Sequence, residues 1–171
     1  MKRFRELDLR QIYLQPGELF VDKQPALVQT ILGSCVSVTL FCPRGRFGGI
    51  CHALLPTGKP EDAERHVEGA VRLLLDRMLR LGASHQQLEA KLFGGSRVLG
   101  TPPSQRLTVG EQNLACAKEM LHKLNLRPVA DDTGGLRGRM LFFNSGSGEV
   151  FIRKVRNSTL DDRNHEVATH G

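Results

Sequence analysis

Thr30-Ile-Leu-Gly-Ser-Cys-Val-Ser-Val-Thr-Leu-Phe41, followed by Gly48-Gly-Ile-Cys-His-Ala-Leu-Leu-Pro56, is the stretch that decides how this chain folds. Val36 to Phe41 alternates apolar with polar or small side chains and is rich in β-branched residues, the pattern of a strand. Gly48 to Leu55 reads as a second strand. Between them Pro43-Arg-Gly-Arg46 has turn chemistry, because proline presets φ and glycine admits positive φ. An antiparallel hairpin follows. If Cys42 faces Phe47, His52 faces Ser37. Cys35 lies two residues before Ser37 and shares its side of the sheet. Diagonal neighbours of this kind are about 7–8 Å apart at the backbone. A slip of one residue would put thiol and ring on opposite faces, so the juxtaposition depends on the turn.

A thiol within reach of an imidazole is the minimum equipment for nucleophilic attack on an amide. Only the thiolate attacks well, and a free cysteine has a pKa of about 8.5, so a neighbouring histidine must take the proton or form a thiolate–imidazolium pair. Gly33 lets the chain turn sharply beside Cys35. Successive backbone N–H groups at Gly33 and Ser34 could bind a developing oxyanion. Thr30 could hydrogen-bond the imidazole or a substrate amide, and its residue type equally suits a plain strand position. Cys35 and His52 also have inert readings, a small core hydrophobe and a satisfied buried histidine. Their predicted fit to each other favours the chemical one. The same register turns Cys42 and Cys51 away from Cys35, and these two, with Cys116, read as core residues.

Working outward, Ile12-Tyr-Leu14 and Glu18-Leu-Phe-Val21 read as short strands around a Gln15-Pro-Gly17 turn. Thr57 to Pro60 is a loop. Glu61 to Leu81 is the clearest helix: Val67, Ala70, Val71, Leu74, Leu75, Met78 and Leu79 recur at helical spacing, and Arg80 and Gly82 suit its end. Gln87 to Phe93 alternates as a strand and runs into Gly94-Gly95. Arg97 to Arg106 is a loop centred on Pro102-Pro103. Gly110 to Leu124 is a second helix, with Leu114, Ala117, Met120, Leu121 and Leu124 on one face. Pro128 to Ala130 is a short strand leading into Asp131-Asp-Thr-Gly-Gly135. Gly138 to Phe143 and Glu149 to Val155 form a final hairpin. Strands first, then helices interleaved with strands, predict an α/β domain with mixed sheets and two main helices. The expected domain covers 1–157, and 158–171 reads as a flexible polar tail.

Composition bounds the function. The chain has 171 residues, 40% hydrophobic and 25% charged, which suits one globular domain. No apolar run approaches the roughly 20 residues of a membrane span, so no membrane insertion is expected. The N-terminus lacks the apolar segment and cleavage site of a signal peptide, which predicts a cytoplasmic protein. There the four cysteines would be free thiols, and their spacing has no zinc pattern. The net charge of +6 invites an acidic partner or nucleic acid. The basic residues are dispersed, however, and with no Trp and only Tyr13 there is little for bases to stack on, so nucleic acid ranks last.

The segment Leu32-Gly-Ser-Cys-Val-Ser-Val38 with Gly48 to Pro56 downstream resembles the chemoreceptor glutamine deamidases of bacterial chemotaxis, the CheD family. The likeness continues in order through Tyr13-Leu-Gln-Pro-Gly-Glu18, Glu89-Ala-Lys-Leu-Phe-Gly-Gly95, Val109-Gly-Glu-Gln-Asn113, Asp132-Thr-Gly-Gly135 with Arg139, and Gly148-Glu-Val-Phe-Ile-Arg-Lys154. Any one glycine pair is a weak signal; the ordered set is specific. The resemblance implies a layered α/β/β fold like that of glutamine-deamidating bacterial toxins. It implies a cysteine hydrolase that converts receptor glutamines to glutamate and releases ammonia, with no metal or organic cofactor. By motif position Cys35 would be the nucleophile and His52 the general base. Thr30, with Gln29 beside it, is the candidate for the family's catalytic threonine. Gly33 and Ser34 would serve the oxyanion. The implied partners are methyl-accepting chemotaxis receptors and, for some family members, a CheC-type phosphatase.

Other readings compete. A non-catalytic adaptor that docks on receptors or on a CheC-type phosphatase would need no working thiol. A papain-like protease would put its histidine far downstream of the cysteine, unlike the short spacing here. A small-molecule amidase would use the same chemistry on a free substrate. Gly94-Gly-Ser-Arg97 after a strand hints at a phosphate loop but lacks the Gly-Lys-Ser/Thr signature. Gly134-Gly135 suits a turn, and both pairs could wall the cleft around Cys35. Asn113 near a helix start reads as a local polar contact.

Overall fold

The computed structural model describes residues 8–97 and 106–155. The expected tail at 158–171 and the Pro102-Pro103 centre of the long loop fall outside the described residues. Nine strands form two mixed sheets among the described residues. The four-stranded sheet has the order β1 (Arg10–Tyr13), β3 (Ala26–Leu32), β8 (Arg139–Asn144), β9 (Val150–Lys154). The five-stranded sheet has the order β2 (Leu19–Asp22), β5 (Phe47–Cys51), β4 (Val36–Cys42), β6 (Glu89–Gly94), β7 (Pro128–Thr133). Pairs β1–β3 and β6–β7 are parallel and the rest antiparallel. Helices α1 (Val67–Arg80) and α2 (Val109–Lys123) cover one face of the five-stranded sheet. The four-stranded sheet covers the other face, which completes the expected α/β/β order.

The hairpin register is the predicted one. Cys42 faces Phe47, Thr39 faces Ile50, and the ladder ends at an isolated bridge between Val36 and Ala53. Val36, Val38, Leu40, Cys42 and Cys51 pack toward the helices. Alternation then sends Ser37 and Thr39 to the opposite face. A polar face suits a half-solvated strand, yet every residue of β4 is buried, because the second sheet lies over it.

Local reading and structure part in four places. Ile12 and Leu19 belong to strands in different sheets, so the Gln15-Pro-Gly17 turn carries the chain from one sheet to the other. Strand β3 lacks alternation, since Ala26, Leu27 and Val28 are consecutive buried residues, and hydropathy alone does not mark it. The expected single helix from Glu61 is a 3-10 turn at Pro60–Arg65 followed by α1, with His66 extended between them. The cause is tertiary: Leu54 N–H and Leu55 N–H donate to Arg65 O, and Val67 N–H donates to Leu55 O. These bonds take backbone groups a continuous helix would use. His66 Nδ1 then caps α1 by accepting from Gly69 N–H at 3.1 Å. The short strand expected at Pro128–Ala130 runs on to Thr133, paired with β6.

α2 begins at a capping box. Thr108 Oγ1 accepts from Glu111 N–H and Glu111 Oε2 accepts from Thr108 N–H, satisfying two helix-end donors. This start brings Gly110 against the end of β6, where a Cβ would lie 2.3 Å from Ser96 O. At the start of β8 Arg139, 1% exposed, donates to Gly94 O, Asp132 O and Gly134 O. It thereby ties β8 of one sheet to β6 and β7 of the other. Burial pulls its pKa below the ordinary guanidinium value, and the Asp132 carboxylate opposes that. Replacing Arg139 with Met would take a charged donor from three carbonyls, of which Gly94 O keeps the N–H of Gly134. The expected loss is about 3 kcal/mol or more of unfolding free energy, read by urea denaturation. For a chain of this size that is a melting temperature lower by roughly 6–12 °C.

Candidate active site

Thr30 and His52 meet between the sheets. Thr30 Oγ1 is 2.7 Å from His52 Nδ1 and 2.8 Å from Leu14 O. The carbonyl of Leu14 can only accept, so the single hydroxyl proton of Thr30 goes there. Thr30 Oγ1 must then accept from His52 Nδ1–H. This fixes the tautomer: Nε2 carries the lone pair. Nε2 is buried and has no hydrogen-bond partner among the described residues.

The main chain of His52 is fixed on both sides by backbone bonds. His52 N–H donates to Glu18 O and His52 O accepts from Gly17 N–H, at 3.0 and 2.8 Å. The next residue, Ala53, exchanges two bonds with Val36. Ring and backbone are therefore positioned by three segments, β1–β2, β3 and β4. Burial pulls the pKa of His52 down to about 4, with only partial opposition from the Glu18 carboxylate, so the ring is neutral at neutral pH.

Cys35 packs against the cluster between the sheets, on the His52 side, while Cys42 and Cys51 lie on the helix side. It is half-buried, and burial pushes its thiol pKa up. Both groups therefore rest in neutral form, as thiol and imidazole. The Val36–Ala53 bridge sets Cys35 one diagonal step from His52, the relation read from the hairpin. Gly33 and Ser34 precede it in a partly exposed turn. Ser37, opposite His52 in register, is also buried there, and its hydroxyl has no partner among the described residues.

The glycine pairs take structural parts. Gly95 N–H donates to Cys35 O at 2.8 Å and Ser96 N–H to Gly33 O at 3.0 Å, so neither amide is left for a phosphate. Gly94 has φ +102, and a Cβ there would lie 2.2 Å from Cys35 O. Only glycine allows this approach of the β6 end to the cysteine turn. Gly134-Gly135 is a turn whose Gly134 N–H bonds Gly94 O.

One buried polar residue at the site goes beyond its sequence reading. Asn113 donates from Nδ2 to Ser34 O and to Leu54 O, both at 2.9 Å, and so is more than a local contact. Its signal is legible in retrospect: with Gly110, Ala117 and Leu121 it falls on the buried face of α2, where an apolar residue is the rule.

An α/β/β sandwich with threonine, histidine and cysteine gathered between its sheets is a distinctive class of protein, and comparison with known sequences places it. A family profile described as CheD chemotactic sensory transduction matches residues 54–154. A Geobacter sulfurreducens protein named probable chemoreceptor glutamine deamidase CheD 2 is 41% identical over 157 residues, covering 92% of this chain and 98% of its own. Proteins with the name probable chemoreceptor glutamine deamidase CheD are similar to this chain in Nitratidesulfovibrio vulgaris (41% over 160 residues, 88% of this chain and 80% of theirs) and Pyrococcus abyssi (41% over 151 residues, 85% and 93%). The chain belongs to the CheD family.

The buried histidine has a consequence for stability. Its folded pKa of about 4 lies below the ordinary 6.5, so the unfolded chain takes up the proton first. Stability is then full above the unfolded value and is lost as pH falls through the window from about 6.5 to about 4. Between about pH 7 and pH 4.5, wild type should lose roughly 2–3 kcal/mol that a His52→Gln variant does not. Urea denaturation of both proteins at the two pH values checks this; parallel losses would mean that His52 does not titrate in that window.

Proposed function

We propose that this chain hydrolyses side-chain amides of glutamine residues on chemotaxis receptors, yielding glutamate and ammonia through a thioester on Cys35. The observation that carries the proposal is the Thr30–His52 hydrogen bond, which leaves Nε2 as an unprotonated base on the side of the sheet where Cys35 packs. The names borne by the similar proteins supply the substrate class.

In this mechanism His52 Nε2 takes the thiol proton as Cys35 Sγ adds to the carboxamide carbon. The carbonyl π pair moves to oxygen, and the oxyanion sits against the N–H groups of Ser34 and Cys35. Collapse of the adduct breaks the C–N bond. The proton on Nε2 passes to the departing nitrogen, which leaves as ammonia. Water then gives a proton to Nε2 and adds to the thioester carbon. The second adduct expels the sulfur, which recovers its proton, and glutamate is released. Thr30 holds the ring through both halves by accepting from Nδ1–H. A histidine that is neutral in the fold is suited to this work, since it can accept a proton at neutral pH. Among the described residues no helix is long and apolar enough to cross a membrane. A cytoplasmic site of action, where thiols stay reduced, goes with this reading.

Cys35→Ala should abolish ammonia release from receptor fragments, and the wild-type product should be heavier by about 1 Da per converted glutamine with the backbone intact. An adaptor, whether for receptors or for a CheC-type phosphatase, would show no such dependence; unchanged deamidation by Cys35→Ala rejects the thioester mechanism. Thr30→Val should lower kcat about 10²-fold while Thr30→Ser retains most of it, because only the hydroxyl orients the ring. The pH profile of kcat/KM should rise through an acid limb near 4, not 6.5, and stay level through neutrality. An acid limb at the ordinary histidine value would show that His52 is not the buried base.

A further inference from the structure

The turn that carries Cys35 has three successive carbonyls, each with its own donor. Gly33 O accepts from Ser96 N–H and Cys35 O from Gly95 N–H, both backbone partners. Ser34 O, between them, accepts from the side chain of Asn113. The second proton of the same NH2 group goes to Leu54 O, two residues beyond His52. One buried amide therefore joins the segment of the proposed nucleophile to the segment of the proposed base, respectively 79 and 59 residues away from it along the chain.

Asn113 is 0% exposed. Its Oδ1 has no partner among the described residues. Burying an unpaired acceptor costs about 1–3 kcal/mol, a penalty an alanine or leucine at this core position would not carry. What asparagine supplies is its pair of donors.

We infer that Asn113 is a positioning residue for the oxyanion site; this rests on the deamidation reading above. The described residues contain no cis peptide bond. In a trans peptide the N–H points opposite to the C=O. Drawing Ser34 O toward α2 turns the N–H of Cys35 away from α2. Drawing Gly33 O toward Ser96 turns the N–H of Ser34 away from Ser96. The first of these two orientations depends on a side chain, and that side chain is Asn113. Without its donors Ser34 O is left unpaired in a half-buried turn. The Ser34–Cys35 peptide is then free to rotate toward water, carrying the Cys35 N–H with it.

The test compares wild type, Cys35→Ala, Asn113→Ala, Asn113→Ser and Asn113→Asp. For Asn113→Ala and Asn113→Ser, kcat for ammonia release should fall about 10²-fold or more with KM changed less than about threefold, the signature of a lost transition-state interaction. Alkylation of Cys35 by iodoacetamide, followed on its peptide by mass spectrometry, is a displacement that needs the sulfur but no oxyanion site. It should stay within about threefold of wild type. In Asn113→Asp the buried carboxyl can donate only when protonated. Its kcat should therefore rise as pH falls from about 8 to about 5, while wild type stays level. Undiminished kcat in Asn113→Ala overturns the inference. So does an alkylation rate that falls in step with kcat, and so does failure of all three variants to fold, since either result makes Asn113 a residue of the scaffold alone. Absence of ammonia release by wild type would instead sink the deamidation reading and this inference with it, whereas an active wild type, a dead Cys35→Ala and an unimpaired Asn113→Ala sink the inference alone.

Discussion

Two sheets close over a layer that contains hydroxyl and imidazole groups, and the His52–Thr30 hydrogen bond is what makes that closure possible at the site. A buried imidazole with an unpaired N–H would carry a penalty comparable to the worth of several core contacts. Thr30, on the facing sheet, removes it, and Leu14 O takes the hydroxyl proton that would otherwise be unpaired in turn. The chain of donors runs one way, from ring to hydroxyl to carbonyl. That direction leaves the lone pair of His52 on Nε2 and not on Nδ1. The same three groups that let the sandwich pack therefore define which nitrogen is available for chemistry.

Around this bond the scaffold is built mainly from backbone. His52 is bracketed by Gly17 and Glu18 on one side, while its neighbour Ala53 is bracketed by Val36 on the other. The Cys35 turn rests on the glycine end of β6, where close approach excludes a side chain. Backbone contacts of this kind have few rotamers to lose and hold geometry tightly. Arg139 secures the ends of β6 and β7 from the opposite sheet through three carbonyls. The proposed reaction needs a nucleophile, a base and donors aimed at developing charge, and here backbone bonds to neighbouring strands tie down the segments that carry the nucleophile and the base.

Electrostatics at the site favour neutral groups. Burial lowers the basicity of His52 and raises the pKa of Cys35, so the two shifts together disfavour a resting thiolate–imidazolium pair. A neutral pair suits a mechanism in which the proton leaves sulfur only as the carbon–sulfur bond forms. It also keeps a half-buried thiol less prone to oxidation than a resting thiolate would be.

Much of this was legible in the amino-acid order, and what was hidden is hidden for a reason. The register of β4 against β5, and with it the common side of Cys35 and His52, follows from one turn and a two-residue alternation, both local properties of a stretch of about twenty residues. The two helices follow from apolar spacing, although the break at His66 does not, because the bonds that impose it come from Leu54 and Leu55. Strand β3 escapes local reading because both its faces are covered at one end. Thr30 and Asn113 could be named as residues, but their partners lie 22 and 59–79 positions away, and no local pattern encodes a hydrogen bond across layers. The sequence by itself determined the hairpin and so the face on which thiol and imidazole sit. Only the tertiary structure decided which nitrogen of the ring is free and which carbonyls of the turn are tied, because both depend on how the second sheet and the second helix close over that face.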